Sequence, residues 1–200
     1  MTHDAILQES GPTCPSGHSD RAGEKGGGLP RIRIAALLGL ALAAAPVTPA
    51  LAEESAKVLV FDFELVDTSQ EGLHPDHPGR LDRLTALLRD GLNQDGRYAV
   101  TGVHDSAVAQ AIPASLQSCN GCELDLGRQA GADIVVTGFI HKISTLVLNI
   151  RITMRRVGTD GKGGDIVAAG IADIRGDNER SWRRGVEWLL RHRLLTNEPP

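Results

Sequence analysis

Apolar and polar positions alternate along Lys57-Val-Leu-Val-Phe-Asp-Phe-Glu-Leu65, which predicts a first strand. Its period of two puts Leu59, Phe61, Phe63 and Leu65 on one face and Val58, Val60, Asp62 and Glu64 on the other. The polar, proline-bearing stretch 66–79 predicts a loop. From Leu81 the period becomes helical: Leu81, Leu84, Leu87, Leu88 and Leu92 form one stripe, and Gly96 follows the helix end. Arg97–Thr101 predicts a short second strand. Asp105 is placed to cap a short helix through Ile112, which Pro113 would stop. After a loop over 113–120, residues 121–130 predict a helix closed by Gly131. The near-continuous apolar run Asp133–Ile140 is the pattern of a strand covered on both faces.

Ser144–Val157 alternates again, with Leu146, Leu148, Ile150, Ile152 and Met154 as the face to be buried. The glycine-rich segment 158–164 predicts a hairpin turn, and Ile166–Ile174 the returning strand. A last helix runs from about Glu179 to Leu195, capped by Asp177 or Asn178, with Trp182, Val186, Leu189, Leu190 and Leu194 as its buried stripe. The expected order is β-α-β-α-α-β-β-β-α. That describes a single α/β domain with a mixed sheet of about five strands flanked by helices, and without internal repeats.

The N-terminal region follows a different logic. Arg31 and Arg33 flank an apolar core over 34–45, Pro46 and Pro49 break it, and Ala50-Leu51-Ala52 ends it. A basic flank, an apolar core and an A-x-A end make a secretory signal. As a membrane span the core is too short, since about 20 apolar residues are needed. Cleavage after Ala52 is expected, dividing the chain into a leader over 1–52 and one exported domain over 53–200. No cysteine follows the cleavage site, so a lipid anchor is not indicated. Localisation is expected to be periplasmic, in an oxidising, ATP-free space. Residues 1–30 are long for a signal's basic region and carry Asp4, Glu9, Asp20 and Glu24. A mis-assigned translation start or a disordered extension accounts for them. Gly26-Gly27-Gly28 is a poor phosphate loop, because no strand precedes it.

The formal net charge of −4 gives no basic stripe for nucleic acid. Arginines gather late, at Arg180, Arg183, Arg184, Arg191 and Arg193, as either a solvated face or a docking surface for an acidic partner. Aromatic residues make up 3%, so the core must be built from Val, Leu, Ile and Ala.

Three constellations carry candidate chemistry. Cys119-Asn-Gly-Cys122 can close a disulfide in an oxidising compartment, and the other cysteine, Cys14, lies in the leader. With Cys122 in the first turn of a helix, terminal N–H groups would favour its thiolate, the basis of a redox pair. The motif does not follow a core strand as in thioredoxin-like units, which favours a structural clip. Glu123 stands where haem attachment requires histidine. His74-Pro-Asp-His77 brings two imidazoles together, making His74 and His77 weak metal candidates, but a metal needs three or four ligands and none is assigned. Asp62 and Glu64, about 7 Å apart at ~3.3 Å rise per residue, with Asp67, Thr68 and Ser69, mark the place to look for a pocket. Asp67-Thr68-Ser69 is most simply a turn or cap. No Walker loop, nucleophile elbow or zinc-protease helix occurs, and no cofactor is expected.

Val58–Phe63, Gly96-Arg-Tyr-Ala-Val100 and Ala130-Gly-Ala-Asp-Ile-Val-Val-Thr-Gly138 together resemble a recurrent bacterial envelope domain. The pattern is similar to the N-terminal domain of the Tol-Pal translocation protein and to the curli-secretion and penicillin-binding-protein-activator lipoproteins. That resemblance spans roughly residues 57–176. Phe61–Ser69, Cys119–Glu123, Arg175-Gly176 and Ser181-Trp182 resemble more closely a family of small exported proteobacterial proteins of unknown function. The resemblances imply a non-enzymatic periplasmic binding or adaptor module with an envelope protein partner. A thiol–disulfide partner using Cys119 and Cys122 is the alternative. An accessory role to periplasmic dehydrogenases is a further one, implied only by where relatives of the closer family occur.

Overall fold

The computed structural model describes residues 54–72, 74–158 and 164–196. The leader and the tip of the 158–164 hairpin lie outside them. The elements are β1 (Ala56–Val60), β2 (Glu64–Asp67), α1 (His77–Gln94), β3 (Tyr98–Gly102), α2 (Cys122–Ala130), β4 (Ile134–Lys142), β5 (Val147–Arg156), β6 (Ile166–Arg175) and α3 (Glu179–Leu189), whose last turn widens into a π-turn over Leu190–Leu194. They build one mixed sheet in the order β3-β1-β4-β5-β6, with β2 also paired to β4. The pairs β1–β3, β1–β4 and β2–β4 are parallel, while β4–β5–β6 is an antiparallel meander. This is the mixed α/β sheet flanked by helices that the pattern predicts, with six strands.

Two apolar clusters sandwich the sheet. On one side α1 and α3 bury Leu84, Leu88, Leu92, Trp182, Val186 and Leu189 against Val58, Val136, Ile150, Ile152 and Met154. On the other, α2 and the 103–116 segment cover Leu59, Phe61 and Val135 with Val103, Val108, Leu116, Leu124 and Leu126. Strand β4 lies between them, and its alternate residues enter both clusters, as its unbroken apolar run requires. The α3 stripe is buried throughout, and Asn178 caps the helix by accepting a bond from the Ser181 N–H.

Four expectations are corrected. The strand expected over 57–65 is two strands separated by a break at 61–63. Phe61 N–H donates to Val136 O at 3.0 Å, but Phe63 N–H leaves the ladder and donates to Thr85 Oγ1 on α1 at 3.0 Å. The two phenylalanines therefore point into opposite clusters instead of sharing a face. Gly138 makes room for this, since a Cβ there would lie 2.4 Å from the Phe63 ring.

Helix α1 begins at His77, not Leu81, with Pro78 in its first turn where a missing N–H costs nothing. In place of the helix from Asp105 to Ile112 there are two short 3₁₀ turns, Val103–Asp105 and Ala109–Ala111. Ser106 Oγ donates to Val103 O at 2.6 Å and accepts from Val108 N–H, competing with helical bonding. Asp105 pairs with Arg89 at 2.8 Å and caps nothing. Leu146, expected in the buried face, is 70% exposed in the turn before β5.

Candidate functional site

The break after β1 opens the sheet. Strands β1 and β3 end at Val60 and Gly102, and β2 continues along β4 alone, so its other edge borders a cleft of about 560 Å³. Leu65, Pro75, Pro78, Leu81 and Ala114 form its apolar walls, and Glu64, His74 and Ser115 are among its polar groups. The position, beyond the C-terminal ends of parallel strands, is where α/β sheets place ligand crevices.

Glu64 spends its carboxylate on architecture. It accepts from Leu116 N–H at 2.6 Å and Ser115 Oγ at 2.9 Å, tethering the loop that carries buried Leu116 into the smaller cluster. Asp62 instead pairs with His104 at 2.5 Å on the surface. The two carboxylates are engaged by different partners and form no acid–base pair.

Asp67, Thr68 and Ser69 gather at the far end of β2 around a residue that sequence reasoning missed. Lys142, at the end of β4, is 2% exposed, and its Nζ lies 3.2 Å from Asp67 Oδ2, 3.0 Å from Ser69 Oγ and 3.3 Å from Glu71 Oε2. Asp67 Oδ1 also accepts from Ser69 N–H at 2.8 Å and from Ser69 Oγ at 2.5 Å, an Asx-type turn. Thr68 Oγ1 meets His141 Nε2 at 2.9 Å. The Ser69 hydroxyl and backbone bonds, with Lys142 beside them, hold the Asp67 carboxyl below the usual aspartate range. Burial works to lower the Lys142 pKa, but hydrogen bonds and charge from Asp67 and Glu71 outweigh it and leave the group above the usual lysine range. A Ser–Lys dyad needs a neutral lysine as base. Here two carboxylates keep the ammonium charged, and Ser69 already donates to Asp67.

Cys119 and Cys122 are joined in a disulfide that closes the turn into α2, with Asn120 and Gly121 at positive φ between them. Cys122 is the first residue of α2, and both cysteines pack against the smaller cluster. The adjoining Glu123 is nearly buried and paired with Arg155 at 2.6 Å. Its carboxylate lies near both sulfurs, but with the thiols oxidised and the carboxylate paired the group is no ligand set for a metal. A second cleft, of about 520 Å³, runs from Glu123 and Asn120 across Phe139, His141, Asn149 and Arg151 on the face of the sheet beyond α2.

His77 lies in a buried latch between two helices. Its Nδ1 accepts from His74 N–H at 3.3 Å, and its Nε2 meets Asp177 Oδ2 at 2.8 Å. Both ring nitrogens are thus engaged, and the Nε2–H tautomer fits the arrangement. Arg80 Nη1 donates to Asp177 Oδ1 at 2.7 Å and to Asp177 O at 3.1 Å. The His77 ring stacks on Trp182 at 5.5 Å, and the Arg80 guanidinium sits 5.5 Å from the same indole. His74 lies at the surface, its ring 5.6 Å from that of His77. The signal for the latch was present in the spacing His77, Arg80, Leu84, Leu88, which continues the α1 stripe by one turn in polar residues.

These features define a class: a mixed α/β domain whose parallel half opens into a cleft and whose antiparallel half is a meander under a C-terminal helix. The profile of the DUF3280 family, described as "Protein of unknown function (DUF2380)", matches residues 56–194, and the chain belongs to that family. No curated protein is matched by the sequence. Among solved structures, the chain is similar to the LpoB C-terminal domain of Salmonella enterica at 17% identity, covering 60% of this chain and 82% of that one with a TM-score of 0.44. The PelC dodecamer of Paraburkholderia phytofirmans gives 16% identity, 71% and 89% coverage and a TM-score of 0.44. TolB of Acinetobacter baumannii gives 16% identity, 74% and 30% coverage and a TM-score of 0.39. Among the described residues, no helix is long and apolar enough to cross a membrane.

Proposed function

We propose that the domain is a non-enzymatic binding or adaptor module, exported to the periplasm by cleavage after Ala52, and that its partner is an envelope protein. One observation carries this reading. The titratable groups brought together around the clefts are spent on one another: Glu64 on a loop, Asp67 and Glu71 on Lys142, Glu123 on Arg155, and His77 and Arg80 on Asp177. What stays open among the described residues is apolar wall, sheet edge and single polar side chains such as Asn149 and Arg151, with no acid set beside a base, which suits recognition by surface. The apolar core over 34–45 and the disulfide both fit an exported protein.

The experiment is affinity capture of the tagged full chain from a bacterial envelope fraction, with intact-mass analysis of the recovered protein. A mature N-terminus near Glu53 and a stoichiometric envelope partner are expected. Recovery uncleaved from the cytoplasm, or turnover of a substrate by the purified domain, would overturn the proposal. The second reading, a thiol–disulfide partner, is favoured by Cys122 at the first position of α2, where helix-end N–H groups stabilise a thiolate. A mixed disulfide trapped on Cys122 by Cys119→Ser, which removes the resolving thiol, would establish it.

A further inference from the structure

We infer that the free edge of β6, with the groove it forms beside α3, takes an extended acidic–apolar segment of a partner protein as an added strand. This rests on the binding-module reading and names its surface. Among the described residues β6 ends the sheet, so every second residue turns its N–H and C=O away from β5. Exposed edges are usually blunted by charges or proline. Ile166–Ala172 has neither, and its one irregularity, the register shift against Met154/Arg155, leaves the strand regular from Ala168 to Arg175. Ile171 is 53% exposed on the edge and Trp188 39% exposed on α3.

Between them lies a groove of about 440 Å³, lined by Ile171–Arg175 of the strand and by Ser181, Arg184 and Trp188 of the helix. Its apolar floor and strand backbone suit β-augmentation, in which main-chain bonds give affinity and alternate side chains give specificity. Its charge selects the occupant. Arg175 and Arg184 have no ion-pair partner among the described residues, nor do Arg180 and Arg191 further along α3. Asp173 is the one carboxylate in the lining. A second copy pairing through β6 would set two arginine-rich α3 helices side by side over the joined sheet, and like charges disfavour that. Ile171 and Arg175 flank the edge on the face turned from α3, and Trp188 and Arg184 flank it on the α3 face, so the added strand must bring a carboxylate and a branched apolar residue to each face, as a Glu-Glu-Val-Val order does.

The test uses the mature protein and a fluorescein-labelled peptide, acetyl-(Glu-Glu-Val-Val)3-amide, which carries both residue types on each face of a strand, with acetyl-(Lys-Lys-Val-Val)3-amide as its mirror, read by anisotropy. The acidic peptide is expected to bind saturably, more weakly as salt rises, and the basic one not at all. Arg175→Glu with Arg184→Glu, both at exposed positions, should weaken the acidic peptide at least tenfold and admit the basic one. Ile171→Asp should also weaken binding, because it removes an apolar contact and sets a like charge beside the acidic strand. Acidic-peptide binding unchanged in the double variant, or no binding by the wild type, overturns the inference. Capture of the envelope partner separates the two readings. A double variant that keeps the partner leaves the module reading standing and removes this surface. Peptide binding without any envelope partner would do the reverse.

Discussion

The two faces of the sheet are held by different means. Under α1 and α3 the cluster holds nineteen buried residues, including the fully enclosed Trp182, Ile150, Ile152 and Met154. Under α2 it holds eight. At roughly 1.5–3 kcal/mol for each fully buried large aliphatic side chain, the first face carries most of the apolar driving force. The second makes up the difference with local constraints: a disulfide at the start of a nine-residue helix, the Glu64 tether and the Glu123–Arg155 pair. Stability in a domain is not uniform, and ligand-binding segments come from its weaker end. Both clefts beside the candidate residues draw walls from the 114–121 segment on the thinly covered side.

The largest effect should come from breaking the thick face at its polar point. Asp177→Ala removes the carboxylate shared by His77 and Arg80 and leaves the 8%-exposed guanidinium the exposed Asp76 carboxylate at 3.5 Å and the residue-177 carbonyl. Leaving one member of a buried pair wholly uncompensated costs about 3–5 kcal/mol, and with these remaining contacts a loss of about 3 kcal/mol is expected. Urea unfolding with an unchanged m-value and that loss is the expected result. A loss within a few tenths of a kcal/mol would show that the latch is ornamental and that the two faces differ less than their burial implies.

On the thin face, Cys119→Ser with Cys122→Ser should cost about 2 kcal/mol, the value for closing so short a loop in the chain-entropy model. The contrast sharpens in hydrogen exchange: amides of α2 should exchange faster while those of β4 and α3 keep their protection. Uniform acceleration would mean that the clip supports the whole domain. Glu64→Gln is a smaller change, about 1 kcal/mol, because it weakens charge-assisted bonds to Leu116 N–H and Ser115 while keeping an acceptor. Its signature is faster exchange confined to 114–118, measured on the same samples.

What the sequence exposed of these faces follows from how local each cause is. The α3 stripe and the β4 run were legible because burial there repeats at the helical period or fills every position of the strand. The disulfide was legible from the C-x-x-C spacing read together with the export signal. The break between β1 and β2 was not, since Phe61-Asp62-Phe63 keeps alternating while the cause lies at Thr85 and Gly138. The first turn of α1 keeps the spacing of the stripe but in His77 and Arg80, and polar residues signal burial only with their partner, which is about a hundred residues away. Lys142 stands two residues past the apolar run with no motif to mark it; only the fold brings Asp67 and Glu71 to it.

That lysine cluster, at the junction of β2 and β4, gives the smallest and most selective prediction. Asp67 is held below its ordinary value of 3.8, so its contribution to stability is present above that pH and is lost as pH falls through the lowered value. Lys142 is held above its ordinary value of 10.5, so its contribution is complete below that pH and is lost as pH rises through the raised value. Between about pH 4 and pH 10 the pair should therefore give a flat plateau. Asp67→Asn should lower that plateau, because the neutral amide no longer neutralises the buried ammonium. The gap to wild type should close at the acid end, where Asp67 is protonated in both folded and unfolded protein. Glu71 remains beside Lys142, so the alkaline limb should move to lower pH without disappearing. Melting temperatures across pH 2–11 for both proteins read all three features. A gap that persists at the lowest pH would assign the loss to the Ser69 turn bonds, and not to the ion pair.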